Sequence, residues 1–385
     1  MRRFASPVAG AALLLCIACA PAPRAGAQVD DPLGLSRTTP PRPQEPQTAA
    51  ARAVELMRQG KLPEAIAAFR EALKANPKDI AAHLGLGQAL QQQGKADEAV
   101  AEIQLAVDLN PQSADFRMAL AGALLGANRP KDAVREYERA ADLSPMRAAP
   151  LVGLGNALLR LHRSEDALVA YLRARGYEPD DPSIPTAIGR VYADREDWLS
   201  AIREARAALR LRADYTPARD LLIDSLNGGK RYAEALAEID SALKAAPNDI
   251  DLRNARAAAL DGLERRDEAI REYQDILKAD PRQATTWGNL GWSQYGAGKY
   301  DDAIASSRKA LEIDPTLAYV RLNLGLIYAV KGDVNAARKE YEAAISIATR
   351  ADLQAGLEDI RAAMKKHGRT AALQEVEKLL AAVRK

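Results

Sequence analysis

From Pro46 to Ala351 the apolar positions fall into short helical stripes that restart every 34 residues. Within 81–90 the stripe is Leu84, Leu86 and Leu90; within 96–109 it is Ala99, Val100, Ile103, Ala106 and Val107. Each 34-residue stretch therefore predicts two amphipathic helices joined by a short turn. The markers keep step. Prolines stand at 77, 111, 145 and 179, skip 213, and resume at 247, 281 and 315. Each is placed to end a second helix, because proline lacks the N–H and clashes with the preceding turn. Alanine occupies 65, 99, 133, 167, 201, 235, 269, 303 and 337 without exception. A second alanine column lies seven residues on, broken only by Ile276. A third column is small except at one position: Ala53, Gly87, Ala121, Gly155, Gly189, Ile223, Ala257, Gly291 and Gly325. Small residues at one face let helix axes approach, and a larger side chain there costs about 1–3 kcal/mol by overpacking. Gly60, Gly94, Gly298 and Gly332 are predicted to close the first helices of their repeats.

Nine such units in unbroken phase resemble the tetratricopeptide repeat family. The unit from 284 to 317 carries the resemblance most fully, with Trp287, Leu290, Gly291, Gly298, Tyr300, Ala303, Ala310 and Pro315 at the family's positions. The resemblance implies an all-α, right-handed superhelical solenoid of helix–turn–helix repeats over 46–351. Stacked neighbours bury what one repeat cannot bury alone. Residues 352–385 read as two further helices, with stripes Leu353, Leu357, Ile360, Met364 and Leu373, Val376, Leu379, Leu380, Val383, capping the open apolar edge. The fifth repeat departs from the pattern: Ser183 is expected to cap its first helix, with Pro185 tolerated in the first turn. Asn227-Gly228-Gly229 is expected between the helices of the sixth repeat.

The start of the chain reads differently. Arg2-Arg3, an uncharged run from 8 to 20, and Ala25-Gly-Ala27 form a signal-peptide pattern over 1–27, with cleavage before Gln28. Cys16-Ile-Ala18-Cys19 also resembles a bacterial lipobox, departing from it at Cys16, and a second reading places a lipid anchor on Cys19. Residues 28–48, with Pro40, Pro41, Pro43 and Pro46, read as an extended tether. Both cysteines of the chain lie within this leader, so thiolate chemistry is excluded from the repeats.

Lys plus Arg total 54 against 52 Asp plus Glu, a balance that argues against a nucleic-acid binder. No small-molecule substrate or cofactor is expected. The histidines are isolated, at 83, 162 and 367. Gly85-Leu-Gly87 and Gly153-Leu-Gly155 begin like phosphate loops, but no strand precedes them and they fall on helix-packing positions. No catalytic residue is nominated, and the expected function is not enzymatic.

In the family, the first helix of each repeat lines a concave groove through its second, fifth, ninth and twelfth positions. Projected onto this sequence, they give an aromatic and aliphatic zone of Trp292, Tyr295, Tyr319, Leu322 and Leu326, and an acidic zone of Asp220, Asp224, Asp251, Asn254 and Asp261. Trp287 and Trp198 match core positions, while Arg256 stands where the repeat expects leucine. The resemblance implies a protein or peptide partner held in the groove. With the leader, it suggests a scaffold or adaptor of the bacterial envelope: periplasmic, or on the outer membrane as a lipoprotein. The membrane would be reached only through that anchor or a membrane partner. The alternative is a lipid-anchored architectural spacer in a pilus, secretion or polysaccharide-export assembly.

Overall fold

The computed structural model describes residues 48–383. The leader, Cys19 and nearly all of the expected tether lie outside them. The described chain is helical throughout and divides after Asp180 into two compact units. The first holds α1 (Ala49–Arg58), α2 (Leu62–Ala75), α3 (Ile80–Gln92), α4 (Ala96–Leu109), α5 (Ala114–Gly126), α6 (Pro130–Leu143), α7 (Ala148–Arg160) and α8 (Ser164–Tyr177). The second holds α9 (Ser183–Asp194), α10 (Trp198–Leu211), α11 (Thr216–Gly228), α12 (Tyr232–Leu243), α13 (Ile250–Gly262), α14 (Arg266–Ala279), α15 (Ala284–Gly296), α16 (Tyr300–Ile313), α17 (Ala318–Lys331), α18 (Val334–Ile345), α19 (Arg350–His367) and α20 (Ala371–Val383). Odd-numbered helices up to α17 are the first (A) helix of a repeat and even-numbered ones the second (B). Within each unit every A helix packs on its own B helix and on the B helix before it, as a stacked helix–turn–helix solenoid does.

The alanine column from 65 to 337 is buried at each position, where an A and a B helix cross. The glycine pairs make room for large side chains, aromatic rings in all but Gly87, which admits Ile103. A Cβ on Gly85 would collide with the Phe69 ring, and one on Gly153 with Tyr137. One on Gly155 would lie 2.5 Å from the ring of Tyr171. Both Gly-Leu-Gly runs are therefore packing devices in mid-helix. Gly228 and Gly229 do the same for Trp198, whose indole would stand 2.8 Å from a Cβ on Gly228. Asn227 and Gly228 lie within α11, and of the three only Gly229, the residue that caps the helix, stands in the inter-helix turn.

The turn after each A helix is uniform in backbone and varied in sequence. Gly60, Gly94, Gly298 and Gly332 have φ of +74°, +84°, +78° and +86°. The other repeats place Asn128, His162, Glu196, Lys230 and Glu264 in the same left-handed region, with φ between +56° and +62°. At the fifth repeat Asp181 does the capping expected of Ser183: its carboxylate accepts the Ser183 N–H at 2.8 Å.

A polar clasp also recurs. Arg117 Nε donates to the Pro111 carbonyl at 2.9 Å, and its guanidinium reaches Glu136 at 2.8 Å. His83 meets Pro77 O and Glu102 at the equivalent places, and Arg321 meets Pro315 O and Glu340. Trp287 Nε1 donates to Pro281 O at 2.9 Å, which gives that tryptophan a structural task. Arg219 reaches the carbonyl of Ala213, where the proline is missing. Each clasp gives a partner to the carbonyl of the loop residue two positions past the end of a B helix. Arg256 buries its stem and bridges Asp240 and Glu272 at 2.7 and 2.8 Å.

Candidate protein-binding site

The two projected zones, both in the second unit, meet different fates. Leu322 and Leu326 are 2% and 1% exposed. They belong to a core shared with Leu357, Ile360 and Met364 of α19 and with Leu373, Val376 and Leu380 of α20. They are thus removed from the open wall. The projection treats the last repeat as having a bare A helix, but α19 packs on α17 and fills that place.

Trp292 and Tyr295 are partly buried against the same core. Their rings meet at a tilt of 37° with centroids 5.2 Å apart, Tyr295 lies 5.9 Å from Tyr300, and Tyr300 meets His367 of α19 edge-on at 6.4 Å. Burial, then the neighbouring Tyr300 and Asp359, pushes the Tyr295 hydroxyl up to about 12. Tyr319 is half-buried, its hydroxyl 3.1 Å from where a Cβ on Gly288 would stand. That hydroxyl is enclosed with no hydrogen bond of normal geometry, and burial pushes its pKa up to about 12. The aromatic zone is therefore largely a seat for the chain's own C-terminal helices.

The acidic zone is open in part. Asn254 is buried between helices: its Nδ2 donates to Ile250 O at 3.0 Å and its Oδ1 accepts from Thr286 at 2.9 Å, so it offers a ligand nothing. Asp261 is also buried, with Arg266 Nε 4.0 Å away. Asp220, Asp224 and Asp251 are exposed. Asp220 and Asp224 stand one turn apart on α11, and Asp251 opens α13 beside the capping residue Asp249. Desolvation by the neighbouring helices, then the charge of Asp220, pushes Asp224 up to about 6, although its side chain still meets water. Arg190 of α9 opposes this and Asp251 adds to it. Asp220 is raised for the same first reason, with Asp249 next.

A carboxylate with a folded pKa above its unfolded value of about 3.9 makes the charged form costly in the fold. The cost is present in full above pH 6 and vanishes as pH falls towards 4. Asp224→Asn should therefore stabilise the fold at pH 7.5 by less than about 1 kcal/mol once solvent screening is allowed for, and raise the melting temperature accordingly. The gain should shrink as pH drops through 6. Thermal melts of both proteins across this range check it, and a gain that grows towards acid pH would contradict the assignment.

The acids of the B helices are treated differently. Glu98 pairs with Arg70, Glu136 with Arg117 and Arg139, Glu234 with Arg206 and Arg231, Glu272 with Arg253 and Arg256, and Glu340 with Arg321. Asp220, Asp224 and Asp251 form no ion pair among the described residues. The α11 wall also holds Asn227, one turn beyond Asp224 on the same face, at the twelfth position of its repeat and equivalent to Asp261, though the acidic zone drawn from the sequence leaves it out. That twelfth position, already used for Asp261, is the signal in the sequence that could have found it. No group of three or more His, Cys, Asp or Glu side chains among the described residues could hold a metal ion. No helix among them is long and apolar enough to cross a membrane.

Tetratricopeptide repeat profiles match residues 50–114, 118–182, 186–250 and 254–318, and a second such profile matches 294–360. The chain belongs to the tetratricopeptide repeat family. It therefore carries a scaffold typical of protein–protein interaction, of a family that binds protein or peptide partners and is generally non-enzymatic. No curated protein matches it in sequence. Among solved structures it is similar to MamA, at 22% identity over 43% of this chain and 96% of that one, with a TM-score of 0.39. It is also similar to YrrB, described as a tetratricopeptide repeat protein with an unusual peptide-binding site, at 20% identity, 44% and 88% coverage and a TM-score of 0.37. A tetratricopeptide repeat protein from Parabacteroides merdae matches at 16% identity, 72% and 97% coverage and a TM-score of 0.47.

Proposed function

We propose that this tetratricopeptide repeat protein is an exported scaffold or adaptor of the bacterial cell envelope that engages a partner protein along its A-helix faces. One observation carries the choice of face. Many acids of the B helices are held in internal ion pairs, whereas Asp220, Asp224 and Asp251 on the α11–α13 wall form none among the described residues. Export rests on the leader over 1–27, and anchoring at Cys19 is the variant of it that would fix the protein to a membrane.

Site-specific photo-crosslinking in the host tests the face. The crosslinking residue is placed at Asp224 and Gln88 on A helices, and at the exposed Glu138 and Lys309 on B helices. Adducts should form from the A-helix positions and not from the others. Adducts from the B-helix positions alone, or from none, would overturn the proposal. Fractionation of the same cells should put the protein outside the inner membrane, and retention with cytoplasmic markers would overturn export.

A further inference from the structure

We propose that the wall of α11 and α13 at Asp220, Asp224, Asn227 and Asp251 receives an arginine-bearing segment of the partner. This rests on the A-helix face being the binding face, and it adds what that face recognises. Two independent observations support it. The first is the weakly opposed charge: Asp220, Asp224 and Asp251 form no ion pair among the described residues, and the cations that act on the first two are Arg190 of α9 and, for Asp220, Arg219. Arg219 is already tied to the Ala213 carbonyl.

The second is a pair of unsatisfied polar groups beside these acids. Asn227 is 8% exposed, and neither its Oδ1 nor its Nδ2 has a hydrogen-bond partner. An enclosed amide with no partner costs about 1–3 kcal/mol, so native structures rarely keep one without a use. Residues 220, 224 and 227 follow i, i+4, i+7 and share one face of α11, so the amide lies on the side of the wall that carries the acids.

The chemistry selects arginine. Side chains one helical turn apart stand about 5–6 Å from each other at Cβ. A guanidinium presents five N–H donors in a fixed plane, enough to bridge two carboxylates and still donate to an amide oxygen. An ammonium is a more strongly hydrated point charge and cannot span the set in one geometry. A negative wall also steers a basic segment towards it.

The test uses the full chain and short fluorescein-labelled peptides of alternating arginine and serine, or lysine and serine, read by anisotropy. The wild type should bind the arginine peptide more tightly than the lysine peptide. The double variant Asp220→Asn, Asp224→Asn should lose about tenfold or more in affinity with helical content unchanged. Asn227→Ala should narrow the preference for arginine over lysine. A control removing two charges from a B helix, Glu138→Gln with Asp142→Asn, should bind as the wild type does. Equal losses in control and double variant would reduce the effect to net charge and overturn the inference. So would an unchanged double variant, or a lysine peptide held as tightly. Should the double variant misfold, Asp251→Asn takes its place under the same criteria. If the wild type binds neither peptide while crosslinks still form at Asp224, arginine recognition fails and the scaffold reading stands. If neither occurs, both fail.

Discussion

Tyr171→Ala should destabilise the unit that ends at Asp180 by about 3–5 kcal/mol, the scale for removing a fully buried aromatic side chain. Tyr171 is 0% exposed. Its ring lies on Gly155, where even a Cβ would come within 2.5 Å, so the space it fills is shaped by a residue with no side chain. Its hydroxyl donates to Asn156 Oδ1 at 2.7 Å. Deleting the ring leaves a cavity against a glycine, which has no side chain to move into it. Tyr171→Phe keeps the ring and loses one hydrogen bond to an exposed asparagine, so it should cost only about 0.5–1.5 kcal/mol. Urea unfolding of the two variants separates the contributions. Near-equal losses would mean that the hydroxyl, and not the packing, holds this repeat. Because stacked repeats are stabilised through nearest neighbours, the loss should spread to α5–α8 before it reaches α1 and α2.

Packing of this kind leaves a clear trace in the sequence. Helix pairs, their spacing and the alanine crossings are legible there because each repeat imposes one steric rule, and only small residues obey it. The glycine pairs are legible as packing positions for the same reason, though not which side chain each admits: Phe69 and Tyr171 come from different repeats. Leu322 and Leu326 were misplaced because the projection knows the position within a repeat but not which helix covers the last one. Where α19 settles depends on tertiary contacts of Leu357, Ile360 and Met364, and periodicity within α19 says only that it has an apolar stripe. Asn254 was misplaced because its partner, Thr286, lies one repeat on. Asp220, Asp224 and Asp251 keep contact with water, although neighbouring helices partly desolvate the first two, and that desolvation is not legible in the spacing.

The replacement of Glu196, Lys230 and Glu264 together by glycine should raise stability by about 1.5–3 kcal/mol, although it deletes three side chains and makes no new contact. These residues occupy the left-handed region at φ of +59°, +59° and +62°. A residue with a Cβ pays roughly 1–2 kcal/mol there, because the Cβ crowds the following carbonyl. Glycine escapes that cost and returns part of the gain through its larger freedom in the unfolded chain, leaving about 0.5–1 kcal/mol per site. The backbone it must adopt already exists in this protein, since Gly60, Gly94, Gly298 and Gly332 hold it at the equivalent turns. Little opposes the change. The Glu264 carboxylate lies 3.8 Å from Arg266 in a largely exposed pair, worth at most about 1 kcal/mol. Each turn belongs to a different repeat, so the gains should add. Asn128→Gly is the internal control: asparagine tolerates the left-handed region better than glutamate or lysine, so it should gain least. Chemical unfolding of the triple variant and of each single one decides it. A triple variant no more stable than the wild type would mean that the side chains at 196, 230 and 264 make compensating contacts, and that strain at these turns is not what separates them from the glycine repeats.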